Sequence, residues 1–471
     1  KFTVTQKDSE KWGVSEQGKL ALMEAAIDAD ASPADAWKKF KEAVKAAGDG
    51  AVITVKGEIK ATNATDNSGE IVIDNNLTVK KADGATSAVL NANETTGGKT
   101  AHRIFKVEAD KTLTLKNLTL KGGKPAISDE GSNGGAIFAK GGTLNMTNCE
   151  VKGNKADNGG GGGIYATKDG STVSSVTISD STIGGTGADK NESGSYDSGG
   201  GICIGDGCSL TMKNTKVIGN KSDLSGGGIF ADTKSTLSME HCTVSGNSAY
   251  SSGGGIHAIG KLTMTGCTIT GNEAATNGGG LNVEGTPTTI TNCTFIGNTA
   301  KNGGGIYIIK TTSKIPVVTI SGGTIGGTET NEANKATGSG ADKGMGGGIY
   351  VGDGCALTLQ ESAGSGGQGV RIVGNQAKES GGGAYVENSS ATFAINGSSV
   401  VTPSTDGDAN KADKNDVYLN SGAMITVAGA LTPPGGIAAR ITVPDDKYST
   451  STQVLRVPSG VTLADEAGKF T

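Results

Sequence analysis

Residues 253–280 read GGGIHAIGKLTMTGCTITGNEAATNGGG, which is one complete repeat of the chain and the start of the next. A Gly triplet followed by an aliphatic residue or Ala occurs nine times, with Ala136 once in place of the third Gly. The copies are 25–27 residues apart, except where insertions lengthen the gap to 35, 38 or 43. A sequence period of this size is typical of a solenoid. The residues that follow the triplets are Ile137, Ile164, Ile202, Ile229, Ile256, Leu281, Ile306, Ile349 and Ala384.

The second half of the repeat contains two short runs of alternating apolar residues. Leu262 and Met264 form the first run, and Cys267 and Ile269 form the second, offset by one residue. Alternate side chains of a strand point to opposite faces, so these runs predict two strands joined by a bend. A third strand is expected after each Gly triplet. Three short strands per turn, without a helical period, predict an all-β fold, a right-handed single-stranded parallel β-helix.

Equivalent positions of successive repeats are expected to form ladders, because neighbouring rungs lie about 4.8 Å apart. One ladder of inward-facing Cys is predicted to consist of free buried thiols, since stacked neighbours have parallel Cβ vectors that suit a disulfide poorly. An Asn ladder is predicted at a turn, where Asn tolerates left-handed backbone. The Cys ladder contains Cys149, Cys242, Cys267 and Cys293. The Asn ladder contains Asn154, Asn220, Asn247, Asn272, Asn298 and Asn375.

The ends of the chain lack the repeat and are expected to cap it. Residues 1–50 are predicted to form an N-terminal strand and helix cap, residues 51–400 the β-helix, and residues 401–471 the C-terminal β rungs or cap. A helix is expected after Ser32, with this residue as N-cap and a capping box to Asp35. An apolar stripe along that helix predicts a plug on the first rung.

A longer duplication is superimposed on the rungs. Residues 161–212 and 303–359 follow the same order of motifs, including the segment Thr182-Ile-Gly-Gly-Thr186, which recurs as Thr324-Ile-Gly-Gly-Thr328. Each copy carries an expanded polar loop. The sequence favours a duplicated surface over two separate active sites.

Two segments carry a resemblance to a known family. Gly134-Gly-Ala-Ile137 and Phe295-Ile-Gly-Asn298 are literal instances of the paired GGA[ILV] and FxxN motifs. They resemble the repeats of the chlamydial polymorphic outer membrane proteins and, more closely, the GGGIY-repeat β-helix proteins of treponemes. The resemblance implies an adhesin at the cell surface or outside the cell, either secreted or associated with a bacterial outer membrane. The chain is expected to depart from the chlamydial plan in lacking a C-terminal β-barrel domain, and Val or Ile replaces most Phe residues of FxxN.

The residue after each post-triplet apolar position is predicted to point outward, and it is usually aromatic. Two interpretations remain open: stacked rings that stabilise the outer face, or an exposed stripe that binds a glycan or a protein partner. The candidate ligand-binding residues of this row are Phe138, Tyr165, Phe230, His257, Tyr307, Tyr350 and Tyr385.

Charge and composition exclude several function classes. The 42 basic and 47 acidic residues give a net charge of −5, which leaves no basic footprint for nucleic acid. There is no run of 18 apolar residues, so no transmembrane segment is predicted. No cofactor is expected. The calcium candidates are residues 189–194 and the set Asp406, Asp408 and Asn410, whose oxygen donors alternate along the chain as in a calcium loop, although ordinary turns also have this pattern.

The sequence therefore predicts a non-enzymatic bacterial β-helix protein that acts in adhesion or interaction with host or matrix glycans or proteins. One alternative is a structural filament or surface-layer component that self-associates end to end. The other is a polysaccharide lyase or hydrolase of the pectate-lyase-like fold. Carboxylates lie mainly in loops rather than paired on one strand face, and this argues against the enzyme.

Overall fold

The computed structural model describes residues 3–5, 10–14, 20–64, 66–93, 101–126, 131–194, 197–329, 331–340, 343–364, 366–403 and 415–471. The chain forms two compact units. The first unit contains residues 1–224 and 228–236, and the second contains residues 225–227 and 237–471.

The same rung recurs in both units. In one example, Lys261–Thr265 lies in sheet A, Thr268–Thr270 in sheet B and Leu281–Glu284 in sheet C, while the two-residue strand Glu273–Ala274 lies in sheet D. Each strand pairs in parallel with its equivalent in the next rung. The predicted parallel β-helix is therefore confirmed.

The first unit begins with two antiparallel pairings, in which Glu10–Val14 pairs with Thr3–Thr5 and with Leu20–Asp28. The long strand Ala47–Lys60 then takes part in both sheet A and sheet B. The other strands of sheet A are Thr3–Thr5, Glu10–Val14, Leu20–Asp28, Leu77–Lys81, Thr112–Lys116, Thr143–Thr147, Ser175–Ser179 and Ser209–Lys213. Those of sheet B are Ala88–Asn91, Thr119–Lys121, Glu150–Lys152, Thr182–Gly184 and Lys216–Ile218. Those of sheet C are Ile71–Ile73, Phe105–Val107, Ile137–Lys140, Ile164–Thr167, Ile202–Ile204 and Ile229–Ala231. Those of sheet D are Lys155–Ala156, Glu192–Ser193 and Lys221–Ser222.

The second unit continues the pattern and ends in the short helix Leu463–Ala467. Its sheet A strands are Thr236–Glu240 (all but its first residue), Lys261–Thr265, Thr288–Thr291, Val317–Ser321, Ala356–Gln360, Thr392–Gly397, Ile425–Leu431 and Leu455–Arg456. Its sheet B strands are Thr243–Ser245, Thr268–Thr270, Thr294–Ile296, Thr324–Gly326, Arg371–Val373 and Val400–Val401. Its sheet C strands are Ile256–Ala258, Leu281–Glu284, Ile306–Ile309, Ile349–Val351, Ala384–Val386, Val417–Leu419 and Ile441–Thr442. Its sheet D strands are Ser248–Ala249, Glu273–Ala274, Thr299–Ala300, Lys335–Ala336 and Gln376–Ala377. The boundaries that the sequence predicts at residues 50 and 400 stay a prediction.

Inward-facing apolar side chains fill each rung. Leu262 and Ile269 are fully buried, and Met264 lies with them. All seven Cys are free and buried, which confirms the predicted core thiols. Burial raises the pKa of Cys149 to about 11, so its thiol stays protonated and unreactive near neutral pH.

A buried ladder of Asn side chains runs along the turn after sheet B. In the second unit, Nδ2 of Asn272 donates to Oδ1 of Asn298 at 2.9 Å, and Nδ2 of Asn298 donates to Oδ1 of Asn334 at 2.8 Å. Each amide also donates to a main-chain carbonyl of the neighbouring rung. The six predicted members are confirmed, and the structure adds Asn191, Asn334 and Asn415.

The N-terminal helix lies where the sequence predicts it, but its first turn differs. A turn of 3-10 helix, Pro33–Asp35, precedes the α-helix Ala36–Ala46. The expected capping box is wrong, because neither Ser32 nor Asp35 makes a side-chain cap hydrogen bond. The helix passes directly into the strand Ala47–Lys60, since Ala47 already has extended backbone.

The helix packs its aromatic residues against the first rungs, as the plug interpretation expects. Trp37 is fully buried and its Nε1 donates to the Gly69 carbonyl at 3.0 Å. Its ring lies 5.2 Å from that of His102. Phe40 is also fully buried, and its ring is 6.2 Å from that of Phe105 in sheet C.

Candidate functional site

In the second unit, the outward row of sheet C is polar in its first two rungs and then aromatic. The aromatic part is a stack of four tyrosines. Ring centroids are 4.6 Å apart between Tyr307 and Tyr350, 5.1 Å between Tyr350 and Tyr385, and 5.6 Å between Tyr385 and Tyr418. The sequence pattern missed Tyr418 because no Gly triplet precedes it. The six residues in register are His257, Asn282, Tyr307, Tyr350, Tyr385 and Tyr418.

The stacked rings are largely buried. Tyr307, Tyr350 and Tyr385 are 8%, 6% and 5% exposed, and Met345 and Ile309 pack beside them. The rings therefore have the arrangement of the stacking interpretation rather than of an exposed stripe. Burial raises the pKa of all three phenols above the usual range, so each hydroxyl stays a hydrogen-bond donor across the physiological pH range.

Two carboxylates lie beside this row, and both have partners in the fold. Oε2 of Glu284 is 3.2 Å from Nε2 of His257, and this contact lowers the pKa of Glu284. Asn282 places its Nδ2 3.3 Å from the same ring nitrogen. Oε2 of Glu387 accepts the backbone N–H of Asp353 at 2.7 Å. The positions of Glu284 and Glu387 are three rungs apart, roughly 14 Å, which exceeds the spacing of a glycosidase carboxylate pair.

In the first unit, the outward row of sheet C does not form a continuous stack of rings. The ring of Phe138 is tilted by 47° against that of Tyr165, with 5.7 Å between centroids. The guanidinium of Arg103 lies 5.0 Å from the centroid of the Phe138 ring, and Arg103 also forms an ion pair with Glu70 at 3.0 Å. Cys203 is in register with Tyr165 in the next rung, so the aromatic sequence is interrupted there. The remaining predicted residue, Phe230, occupies the following rung.

The described calcium candidate, residues 189–194, serves other contacts. Asn191 is fully buried in the Asn ladder, where its Nδ2 donates to the carbonyl of Val151 at 2.8 Å. The carboxylate of Asp189 pairs with Lys152 at 3.5 Å. No group of three or more His, Cys, Asp or Glu among the described residues is placed to hold a metal ion. The second candidate set, Asp406, Asp408 and Asn410, lies outside the described residues.

Comparison with protein families gives two matches. The family described as right handed beta helix region matches residues 104–295. The Chlamydia polymorphic membrane protein repeat matches residues 292–309, which include the FxxN motif at Phe295. The chain is thus similar to repeat β-helix proteins, and the right-handed, single-stranded form of the predicted fold is confirmed. Comparison with curated proteins gives no match.

Several solved structures are similar to the chain. The periplasmic alginate epimerase AlgG is 14% identical over 65% of this chain and 79% of its own, with a TM-score of 0.34. PfbA, a surface adhesin of Streptococcus pneumoniae, is 11% identical over 75% and 95%, with a TM-score of 0.25. The alginate lyase AlyF-OU02 is 13% identical over 92% and 96%, with a TM-score of 0.27. At these values the likeness carries no inference about activity. No helix among the described residues is long and apolar enough to cross a membrane.

Proposed function

We propose that this chain is a non-enzymatic β-helix protein of a bacterial surface, or a secreted one, that acts in adhesion to or interaction with glycans or proteins of a host or matrix. The observation that carries the proposal is that both carboxylates beside the tyrosine row form hydrogen bonds within the fold. Glu284 holds His257, and Glu387 holds the turn at Asp353. Hydrolysis of a glycosidic bond needs two carboxylates that flank the bond and are free to exchange protons or attack. These two carboxylates hold neighbouring groups of the fold instead.

The regular backbone supports an interaction role in a second way. Parallel rungs in fixed register hold outward side chains in a rigid array, so little conformational entropy is lost when a ligand binds. In sheet A of the second unit, Thr263, Thr289, Thr319 and Thr358 occupy the same outward position in successive rungs. Such rows present hydroxyl groups at regular spacing to a repetitive ligand.

The test is binding of the purified chain to an array of glycans and matrix proteins, with reducing-sugar release and sedimentation measured on the same preparation. We expect retention on the array without sugar release. Sugar release would favour the enzyme, and concentration-dependent filaments without array binding would favour a structural component. Either of those results overturns the proposal.

A double variant, Tyr307→Ser with Tyr350→Ser, separates the two roles of the tyrosine row. If the rings stabilise the fold, the melting temperature falls while array binding at temperatures below the transition is unchanged. If the rings contact the ligand, binding is lost as well. The first result is expected, because the rings are covered by one another and by Met345.

A further inference from the structure

A groove on sheet B of the second unit forms where one side chain is missing. Three successive strands, Thr294–Ile296, Thr324–Gly326 and Arg371–Val373, pair in register. Gly326 lies next to Val373 in that register, and the outward residue of the preceding strand is Ile296. Since Gly326 has no side chain, a notch opens between these two apolar side chains. The groove has a volume of about 270 Å³.

Gly326 is required by the backbone, so the notch is built into the rung. Its φ is +88°, which L side chains rarely adopt, and a Cβ there would collide with the carbonyl oxygen of Val373. Gly327 is constrained too, because a Cβ at this position would collide with the carboxylate of Glu332. That carboxylate accepts the N–H of Glu329 at 3.2 Å and is thereby held at one end of the groove.

The other end of the groove carries a positive charge. Arg371 is exposed and in register with Thr324, and Thr324 is in register with Thr294. Within the part of the chain that the structure describes, no carboxylate forms an ion pair with Arg371. Arg371 begins a strand of three residues, roughly 7 Å long, and the Glu332 carboxylate lies beside Gly327, past the other end of that strand.

The duplicated segment in the first unit carries charged side chains at two equivalent positions. Lys152 stands at the position of Ile296, and Asp189 at that of Glu332. The Lys152 ammonium lies 3.1 Å from the carboxylate of Glu150 and 3.5 Å from that of Asp189. The first unit therefore places an ion-paired lysine where the second unit has Ile296, and its cation at the position of Arg371 is Lys216.

We propose that this groove of the second unit binds a carboxylated sugar residue of a glycan. The planar guanidinium of Arg371 matches a carboxylate with two parallel hydrogen bonds. Glu332 accepts from sugar hydroxyls, and Thr294 and Thr324 donate or accept. The apolar walls at Ile296 and Val373 pack against ring C–H groups. Glu332 repels a second negative charge, so the groove disfavours phosphate and sulfate relative to a singly charged, hydroxyl-bearing ligand.

This inference rests on the proposed interaction role and assigns it a ligand and a site. The experiment is an NMR titration of the whole chain with the methyl glycosides of glucuronic acid and N-acetylneuraminic acid. Methyl glucoside, inorganic phosphate and sulfate are the comparison ligands. We expect a carboxylated glycoside to bind. Methyl glucoside should bind at least about tenfold more weakly, because it lacks the hydrogen-bonded charge pair. Phosphate and sulfate should also bind more weakly, because Glu332 repels their second charge and they have no ring to pack against Ile296 and Val373.

Three variants locate the site. Arg371→Ala is expected to weaken binding of the carboxylated glycoside about tenfold or more. Ile296→Lys is expected to abolish it, because the new ammonium reaches Glu332 as Lys152 reaches Asp189. The matched control is Lys216→Ala, which removes the cation at the equivalent position of the first unit and leaves affinity unchanged. Equal melting temperatures show that all three variants are folded.

Any of these results would overturn the proposal: equal affinity for methyl glucoside or sulfate, full affinity in Arg371→Ala, or equal losses in Arg371→Ala and Lys216→Ala. Failure of both carboxylated glycosides to bind also overturns it. If the chain is nevertheless retained on the glycan and protein array, the interaction role stands and the groove is not its site. If neither binds, both proposals fail.

Discussion

The two units carry the same Thr-Ile-Gly-Gly-Thr segment, but the side chains that lie beside it differ in charge. In the first unit, Lys152 joins Glu150 and Asp189 in one ion-pair network. In the second unit Ile296 stands at the position of Lys152, and an open groove lies between it and Arg371, whose equivalent in the first unit is Lys216. The sheet C rows differ in the same sense. Arg103 covers a ring of the first unit and is paired with Glu70, whereas uncharged tyrosines stack in the second. A duplicated backbone therefore carries an ion-paired lysine in one copy and an open groove in the other.

The largest expected loss of stability comes from a substitution in the Asn ladder, which both units contain. Asn298→Ala removes two side-chain donor bonds and leaves the backbone N–H of Asn272 and its side-chain amide without their acceptor. We expect a loss of about 3–5 kcal/mol, since each buried unsatisfied group costs about 1–3 kcal/mol. Asn191→Ala in the first unit should cost as much, because its contacts are equivalent.

Urea unfolding measures both losses. The outward-facing Asn145→Ala, on sheet A, is the control and should stay within about 0.5 kcal/mol of the wild type. A small loss in either variant would contradict the view that the Asn ladder stabilises each unit.

The second prediction sharpens the contrast between the sheet C rows. Tyr350 has a stacked ring on each side, whereas Tyr165 has Phe138 on one side and Cys203 on the other. Tyr350→Ala should therefore cost about 3 kcal/mol, and Tyr165→Ala about 1 kcal/mol less, because one fewer aromatic pair is lost. Tyr350→Phe keeps the stack and should be nearly neutral. Equal losses at the two positions, measured by thermal unfolding, would show that the stack adds nothing beyond burial.

The third prediction concerns a buried carboxyl group of the second unit. Burial raises the pKa of Asp416 to about 6 from an ordinary value of 3.8. A raised folded-state pKa makes a stabilising contribution that is complete below about pH 4 and is lost as the pH rises through 6. Asp416→Asn should thus equal the wild type at pH 4 and be about 2–3 kcal/mol more stable at pH 7, at 1.36 kcal/mol per pKa unit.

The Asn side chain can still accept the Gly382 N–H that Asp416 accepts at 3.1 Å, so the substitution isolates the charge. Unfolding curves of both proteins at several values between pH 4 and pH 7 measure the difference. Parallel pH profiles of wild type and variant would contradict the assignment.

The smallest effect is expected when the ion-paired Lys152 of the first unit is replaced. Lys152→Ile should change the free energy of unfolding by less than about 1 kcal/mol, because its ion pairs are partly exposed and such pairs contribute little. High salt should reduce the difference between variant and wild type further. A loss above about 2 kcal/mol would mean that the network supports the rung and does not merely fill a surface groove.

The repeat pattern predicted the backbone well because every rung repeats the same short strands and turns. It found the Asn ladder wherever Gly precedes Asn, and it missed Asn191, Asn334 and Asn415, where the preceding residue differs or a long loop hides the register. Alternation placed the tyrosines outward, but it did not show that their own stacking and Met345 would bury them.

The groove was beyond prediction for a related reason. It depends on the register of Gly326 with Val373, and 46 residues separate them in the chain. The same loop insertion that hides this register also supplies Glu332. Neighbours across rungs are set by hydrogen bonding between strands, and a single sequence reports them only where the period is unbroken.

The most direct measurement of the central claim records binding and cleavage on the same molecules. A size-defined, carboxylated oligosaccharide is incubated with the whole chain, separated into bound and free fractions, and the mass of the sugar in each fraction is determined. We predict that the bound oligosaccharide is recovered at its original mass, and that Arg371→Ala lowers the bound fraction. Recovery of shortened or unsaturated fragments would contradict a binding role and show an enzyme.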